Sequence, residues 1–232
     1  MRQIFIQTEN TKIFDELADE LKSNSSLIGP SLSMVVGPAG RGKTEAARHY
    51  AIHKGAIYIA PMITRTPAMM LREISFELSG MRPPRTDACL SVIGDEMAKN
   101  RRLIIIDESD LLEVRVLEML RNVNELFACP IILLGEDALK RKIASRRRLL
   151  SRMRNRLEFG PISQHDISFY LRMIFNTKIN ADVVSAIHRH TQGDWRPVLT
   201  LSIRIDRAMK ASGISEITEK MVKDMISSIS IV

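Results

Sequence analysis

Cysteine is scarce: Cys89 and Cys129 are the only two in 232 residues, and neither belongs to a CxxC pair or a Cys/His cluster. That argues against a zinc site and a disulfide framework, and fits a reducing compartment. No apolar run reaches the roughly 20 residues a bilayer-spanning helix needs. Polar residues come too early in Met1-Arg2-Gln3-Ile4-Phe5 for a secretory signal peptide. A cytoplasmic protein is therefore expected (nuclear if its source has a nucleus), with no membrane partner. Aromatic residues make up 5% of the chain and Trp195 is the single tryptophan, which leaves little for stacking unpaired bases. Repeats and low-complexity tracts are also missing. What remains is ordinary for a globular protein of one to two domains, with 45% hydrophobic and 26% charged residues. The net charge of +7 is compatible with an acidic or nucleic-acid partner, although many basic soluble proteins bind nothing anionic.

Periodicity divides the chain in two. Ile13, Phe14, Leu17 and Leu21 have helical spacing over residues 11–23. A Ser/Asn/Gly/Pro-rich loop from Ser23 to Pro30 leads to a short buried strand, 32–36, and then a glycine loop and a helix from Lys43 to about His53. A second strand, 56–60, is stopped by Pro61; Pro67 opens a helix to about Leu78; Asp87 is placed to cap another through Lys99. The runs 103–107 and 130–135 show no polar alternation, as expected of strands buried on both faces of a parallel sheet. A helix over 113–127 separates them, a very basic helix is expected over 137–154, and a final strand runs from Arg156 to Phe159. Beyond Gly160-Pro161 only helical patterns follow, at 163–176, 181–191, 195–212 and 218–229. The expected fold is an α/β domain over 1–160, with a lead-in over 1–30 and a doubly wound parallel sheet, then a small all-helical domain over 161–232.

Gly37-Pro38-Ala39-Gly40-Arg41-Gly42-Lys43-Thr44 matches the P-loop pattern in full, and it sits between an expected strand and an expected helix. Its glycines let the backbone curl around phosphates and point N–H groups inward. The following helix N-terminus, with Glu45 in its first turn, adds positive dipole potential. With ATP or ADP as the expected nucleotide, Lys43 would reach the β- and γ-phosphates of ATP, and the Thr44 hydroxyl would coordinate Mg²⁺. Asp107 and Glu108 end a buried strand, next to the crevice where a parallel sheet binds ligands. Asp107 is placed for the Mg²⁺ shell and Glu108 for orienting or deprotonating the attacking water. The bland alternative is a pair of helix-capping acids, and Asp110 could be such a cap. Arg196, in Gly193-Asp194-Trp195-Arg196, could swing onto the γ-phosphate or be a surface arginine at a helix start. Arg152, Arg154 and Arg156 could place a finger on a neighbouring subunit's ATP.

Together these features resemble the AAA+ ATPases over nearly the whole chain. The resemblance implies a three-layer P-loop domain with a parallel five-stranded sheet in the order 5-1-4-3-2, followed by a helical lid. It also implies adenine near the N-terminal segment and the lid, and homo-oligomers with nucleotide at subunit interfaces. One position departs from the pattern. Many members have Asn, Ser or Thr at the end of the fourth strand, where this chain has Glu136. A carboxylate only accepts hydrogen bonds and would repel a γ-phosphate, so slow, switch-like turnover is expected. Ile4 to Asn10, Leu103 to Asp110 followed by Val116 to Arg121, and Thr191 to Val198 resemble the MuB-like target-selecting ATPases of phage Mu-type transposition. That resemblance implies an ATP-loaded protein that forms helical filaments (or a ring) on duplex DNA and hands target DNA to a transposase. Two alternatives are a replication initiator or helicase loader and a non-DNA oligomeric switch. The first usually adds a winged-helix domain, which these residues do not hold.

Charge supplies a separate argument. Lys140, Arg141, Lys142, Arg146, Arg147, Arg148, Arg152, Arg154 and Arg156 fall within residues 140–156, with no acid among them. Such a run repels itself unless anions are near. Lys140, Arg141, Lys142, Arg146, Arg147 and Arg148 would contact duplex DNA phosphates, sequence-nonspecifically, or would form a solvated basic face. Thr64, Arg65, Thr66 and Arg72, after the second strand, form a second candidate phosphate surface, or else an ordinary loop and helix start.

Overall fold

The computed structural model describes residues 4–23, 29–60, 66–213 and 216–229. Two compact units emerge: one takes Thr11–Pro38 and Lys43–Phe159, and the other takes the described parts of 1–10, 39–42 and 160–232.

The first unit is built on five parallel strands: β1 (Leu32–Val36), β2 (Ile57–Ile59), β3 (Ile104–Ile106), β4 (Ile131–Gly135) and β5 (Met153–Glu158). Their order is β2-β3-β4-β1-β5, as the resemblance implied. Val36 lies opposite Gly135, and Ile106 opposite Leu133, so the carboxyl ends of the central strands are aligned. Side chains alternate faces along a strand, and the core divides accordingly. Met34, Ile104, Ile106, Ile131 and Leu133 pack under α3 (Pro67–Ser79), α4 (Thr86–Lys99) and α5 (Val114–Phe127), with α6 (Asp137–Ala144) and α7 (Arg147–Leu150). Val35, Ile105, Ile132 and Leu134 pack under α1 (Glu9–Ser23) and α2 (Lys43–Lys54), through Phe14, Leu17, Ala46 and Tyr50. Covering both faces explains why these strands read as unbroken apolar runs. Truncating a fully buried residue such as Ile105 to Ala would cost about 2–5 kcal/mol.

Some local expectations need correction. Residues 137–154 are not one helix: α6 stops at Ser145, α7 is a separate short turn, and β5 begins at Met153. Met153 is drawn into the sheet ladder opposite Leu32, and Arg156 opposite Met34, so the last strand starts earlier than expected and holds Arg154 and Arg156, while Arg152 precedes it. Asp87 does not cap α4; Arg85 holds the cap position, and the Asp87 carboxylate takes a two-pronged bond from the Arg85 guanidinium at 3.0 and 2.7 Å. Ile13 faces away from the core. Pro61, the expected stop of the second strand, lies outside the described residues.

The second unit packs α8 (Gln164–Phe175), α9 (Ala181–Thr191), α10 (Trp195–Ser212) and α11 (Glu219–Ile229) around Ile167, Tyr170, Leu171, Val184, Ile187 and Leu201. A capping box fixes the start of α8: Ser163 and Asp166 each satisfy the other's backbone N–H. The lead-in joins this unit, where the Asn10 side chain donates to Gly160 O at 2.9 Å and accepts from Gly160 N–H at 3.3 Å.

Candidate nucleotide site

The glycine loop leaves β1 at Gly37, whose φ of +151° brings its backbone against Phe159; a Cβ there would stand 2.7 Å from Phe159 O. Only glycine admits that approach. Lys43 opens α2 and is nearly buried, at 8% exposure. Its Nζ folds back over the loop and donates to Gly37 O at 2.6 Å and Pro38 O at 2.9 Å. The ammonium is thus held at the concave side of the turn, where phosphate oxygens can replace carbonyl oxygens as its acceptors.

Thr44 follows. Its Oγ1–H donates to Asp107 Oδ2 at 2.7 Å, joining the first turn of α2 to the end of β3. Asp107 is 5% exposed and Oδ1 accepts the Glu108 N–H at 2.8 Å. A hydroxyl bonded to a buried carboxylate at a P-loop is a donor set suited to Mg²⁺, which dehydrates reluctantly and takes one or two protein oxygens alongside phosphate and water. Among the described residues, no cluster of three or more His, Cys, Asp or Glu offers an all-protein metal cage.

Glu108 is exposed and stands in the left-handed region, φ 45°, ψ 39°. For a non-glycine residue this costs about 1–2 kcal/mol. Its neighbours brace it: Ser109 Oγ donates to Ile106 O at 2.8 Å, and Asp110 Oδ1 accepts the Glu136 N–H at 3.2 Å. Asp110, read as a helix cap, thus receives the N–H of the residue that caps α6 and ties the ends of β3 and β4. Glu136 itself is exposed. Glu45 is exposed in the first turn of α2.

The rest of the loop, Ala39–Gly42, belongs to the helical unit. Trp195 N–H donates to Gly40 O at 2.9 Å, and the Arg41 guanidinium donates to Gln192 O at 2.8 Å and to Gly193 O. Arg41 is therefore a structural tie to the turn before α10. A Cβ on Gly40 would collide with the Asp194 carboxylate, 1.9 Å away. Asp194 caps α10 by accepting the Arg196 N–H at 2.7 Å. The Arg196 side chain is exposed, with no ion pair among the described residues.

Acids outside the basic run pair with three of its nine basic residues. Lys140 pairs with Glu158 at 3.0 Å, Arg152 with Glu125 at 2.6 Å, and Arg154 with Glu20 at 2.9 Å. Lys142 turns inward and donates to Asp110 O and Leu112 O, both at 2.6 Å. Arg141, Arg146, Arg147, Arg148 and Arg156 are exposed and have no ion pair among the described residues. Of the second candidate surface, Thr64 and Arg65 lie outside the described residues, Thr66 caps α3 by accepting the Met69 N–H, and Arg72 donates to Pro84 O.

One residue at the site escaped the sequence reading. The Tyr58 hydroxyl, from β2, donates to Asp107 Oδ2 at 2.7 Å. Burial, reinforced by that bond, pushes its pKa up to about 12, so it stays a donor. A tyrosine in a short apolar strand carries no signal of its own; the carboxylate it reaches is 49 residues away.

A family described as "AAA domain" matches residues 28–143. Over 111 residues the chain is 37% identical to the ATP-dependent target DNA activator B of Escherichia phage Mu, covering 45% of this chain and 35% of that one. Over 116 residues it is 31% identical to the Mu-like prophage FluMu DNA transposition protein B of Haemophilus influenzae, covering 47% and 39%. The matches thus span well under half the length of these relatives. The ORC2 protein of Aeropyrum pernix, solved as ADPNP-ADP complexes, superposes with a TM-score of 0.69 over 97% of this chain and 68% of that one at 15% identity, a likeness of fold.

Proposed function

Since the chain belongs to the AAA domain family, we propose that it is an ATP-dependent, sequence-nonspecific DNA-binding ATPase that assembles on duplex DNA and delivers or activates target DNA for a transposase. The 2.7 Å bond between Thr44 and Asp107, beside a lysine folded over a full P-loop, carries the ATP half of this reading. The DNA half draws on Arg146, Arg147 and Arg148, which are exposed and have no ion pair among the described residues, and on what the Mu and FluMu relatives are called.

In this reading Gly37 to Thr44 bind the phosphates of ATP or ADP and Lys43 exchanges its two carbonyl acceptors for phosphate oxygens. Thr44 and Asp107 hold Mg²⁺, which supplies positive charge to the phosphates. Glu108, projecting from its left-handed backbone, orients the attacking water. Arg196 is the contribution of the helical domain, 161–232, acting as a lid toward the γ-phosphate. Of the finger candidates Arg152, Arg154 and Arg156, the last is the one without an ion pair among the described residues. Glu136 keeps turnover slow.

A second reading, a non-DNA oligomeric switch, draws on the internal ion pairs of Lys140, Arg152 and Arg154, which account for part of the basic run without DNA. Fluorescence anisotropy on duplex DNA, with ATP, with ADP and without nucleotide at two salt concentrations, separates them. ATP-dependent binding that weakens steeply with salt is expected. No binding in any state would leave the switch.

A further inference from the structure

The acid at the end of β3 has one more donor than its proposed task requires. Asp107 Oδ2 receives Thr44 Oγ1–H and Tyr58 Oη–H, each at 2.7 Å, and Oδ1 receives the Glu108 N–H at 2.8 Å. Three donors from three places, α2, β2 and the turn after β3, fix the plane of the carboxylate. Without the phenol, Thr44 alone would hold Oδ2, and Thr44 is the residue proposed to turn a lone pair toward Mg²⁺.

Tyr58 is itself well anchored. Its neighbours Ile57 and Ile59 are buried, its ring packs against the α1–α2 face of the sheet, and the Arg48 guanidinium lies 5.3 Å from the ring centre. Arg48 is four residues along α2 from Thr44, so one helix face serves both donors. A phenol adds a proton donor without adding charge, so it steadies a carboxylate without competing with a cation for it.

We propose that Tyr58 is a positioning residue for the nucleotide's Mg²⁺: its hydroxyl, acting through Asp107, holds the carboxylate in the orientation that receives the metal's coordination shell. This rests on the ATP reading above. Phenylalanine keeps the ring and removes only the hydroxyl, so Tyr58→Phe isolates the effect. The experiment is calorimetric titration of ATP into wild type and Tyr58→Phe across a Mg²⁺ series and in EDTA, with thermal melts of both proteins. Loss of a hydrogen bond to a charged group should raise the half-saturating Mg²⁺ about tenfold, with affinity in EDTA unchanged. A purely structural role would instead lower the melting point and weaken ATP equally with and without metal. Half-saturation within twofold of wild type overturns the proposal and leaves the ATP site standing. A wild type that binds ATP with no response to Mg²⁺ overturns the proposal alone; one that does not bind ATP overturns both.

Discussion

The uneven pairing of the basic run makes a quantitative prediction. Arg146, Arg147 and Arg148 are exposed and have no ion pair among the described residues, whereas Lys140, Arg152 and Arg154 are held by Glu158, Glu125 and Glu20. If the three free arginines each neutralise one DNA phosphate, replacing all three by alanine removes three released counterions. The slope of log K against log salt should become shallower by about 2.7, at about 0.9 per contact. Between 50 and 200 mM salt the wild type should then lose about 40-fold more affinity than the triple variant. Folding should hardly change, because the three side chains are exposed and Arg146, at the N-cap position of α7, makes no side-chain cap bond, and exposed substitutions of this kind stay within about 0.5 kcal/mol. The assay is anisotropy on one duplex with saturating ATP over a salt series, alongside a denaturant melt. An unchanged slope in a folded variant would refute the assignment of these arginines, whatever the absolute affinity.

Lys43→Ala should abolish ATP binding in calorimetry, because the buried ammonium over the loop is lost; unchanged affinity would end the P-loop assignment. Glu108→Gln should bind ATP normally yet retain it, seen as unhydrolysed nucleotide in a single-turnover assay, and normal turnover would remove Glu108 from its role. Gly40→Ala and Gly55→Ala form a matched pair. Both glycines have positive φ, at +74° and +66°, but a Cβ on Gly40 meets the Asp194 carboxylate while one on Gly55 meets nothing within 4 Å. Gly55→Ala should cost about 1 kcal/mol, and Gly40→Ala more by about the loss of the α10 cap, roughly another 1 kcal/mol. Equal denaturation midpoints for the two would contradict that geometry.

The first four strands were legible because each is short, apolar and bounded by turn residues, and the P-loop because its chemistry is contiguous in sequence; β5, with two arginines, an asparagine and a glutamate, was not placed correctly. The basic stretch misled because its periodicity is compatible with a helix until Met153 finds Leu32 in the sheet, a pairing across 121 positions that no local pattern contains. Its charge was overcounted for the same reason. Glu20, Glu125 and Glu158 lie outside 140–156, and the fold brings each beside a basic residue. Arg41 matched the variable part of the P-loop motif, but its guanidinium is spent on the carbonyls of Gln192 and Gly193. Motifs record which residues are present, and the fold decides which of their charges remain free.

Glu108 is held in a backbone conformation that disfavours any side chain, and it persists because its surroundings fix it. Ser109 is tied to Ile106, Asp110 to the Glu136 N–H, and Lys142 from α6 to the carbonyls of Asp110 and Leu112. Local strain of this kind survives where neighbouring bonds over-determine it. A carboxylate meant to meet water cannot be aimed by a partner that would occupy it, so its direction has to come from the main chain. That gives Lys142, first read as a DNA contact, a different task. Its ammonium holds the turn that presents Glu108, and replacing it should affect turnover and stability before it affects DNA.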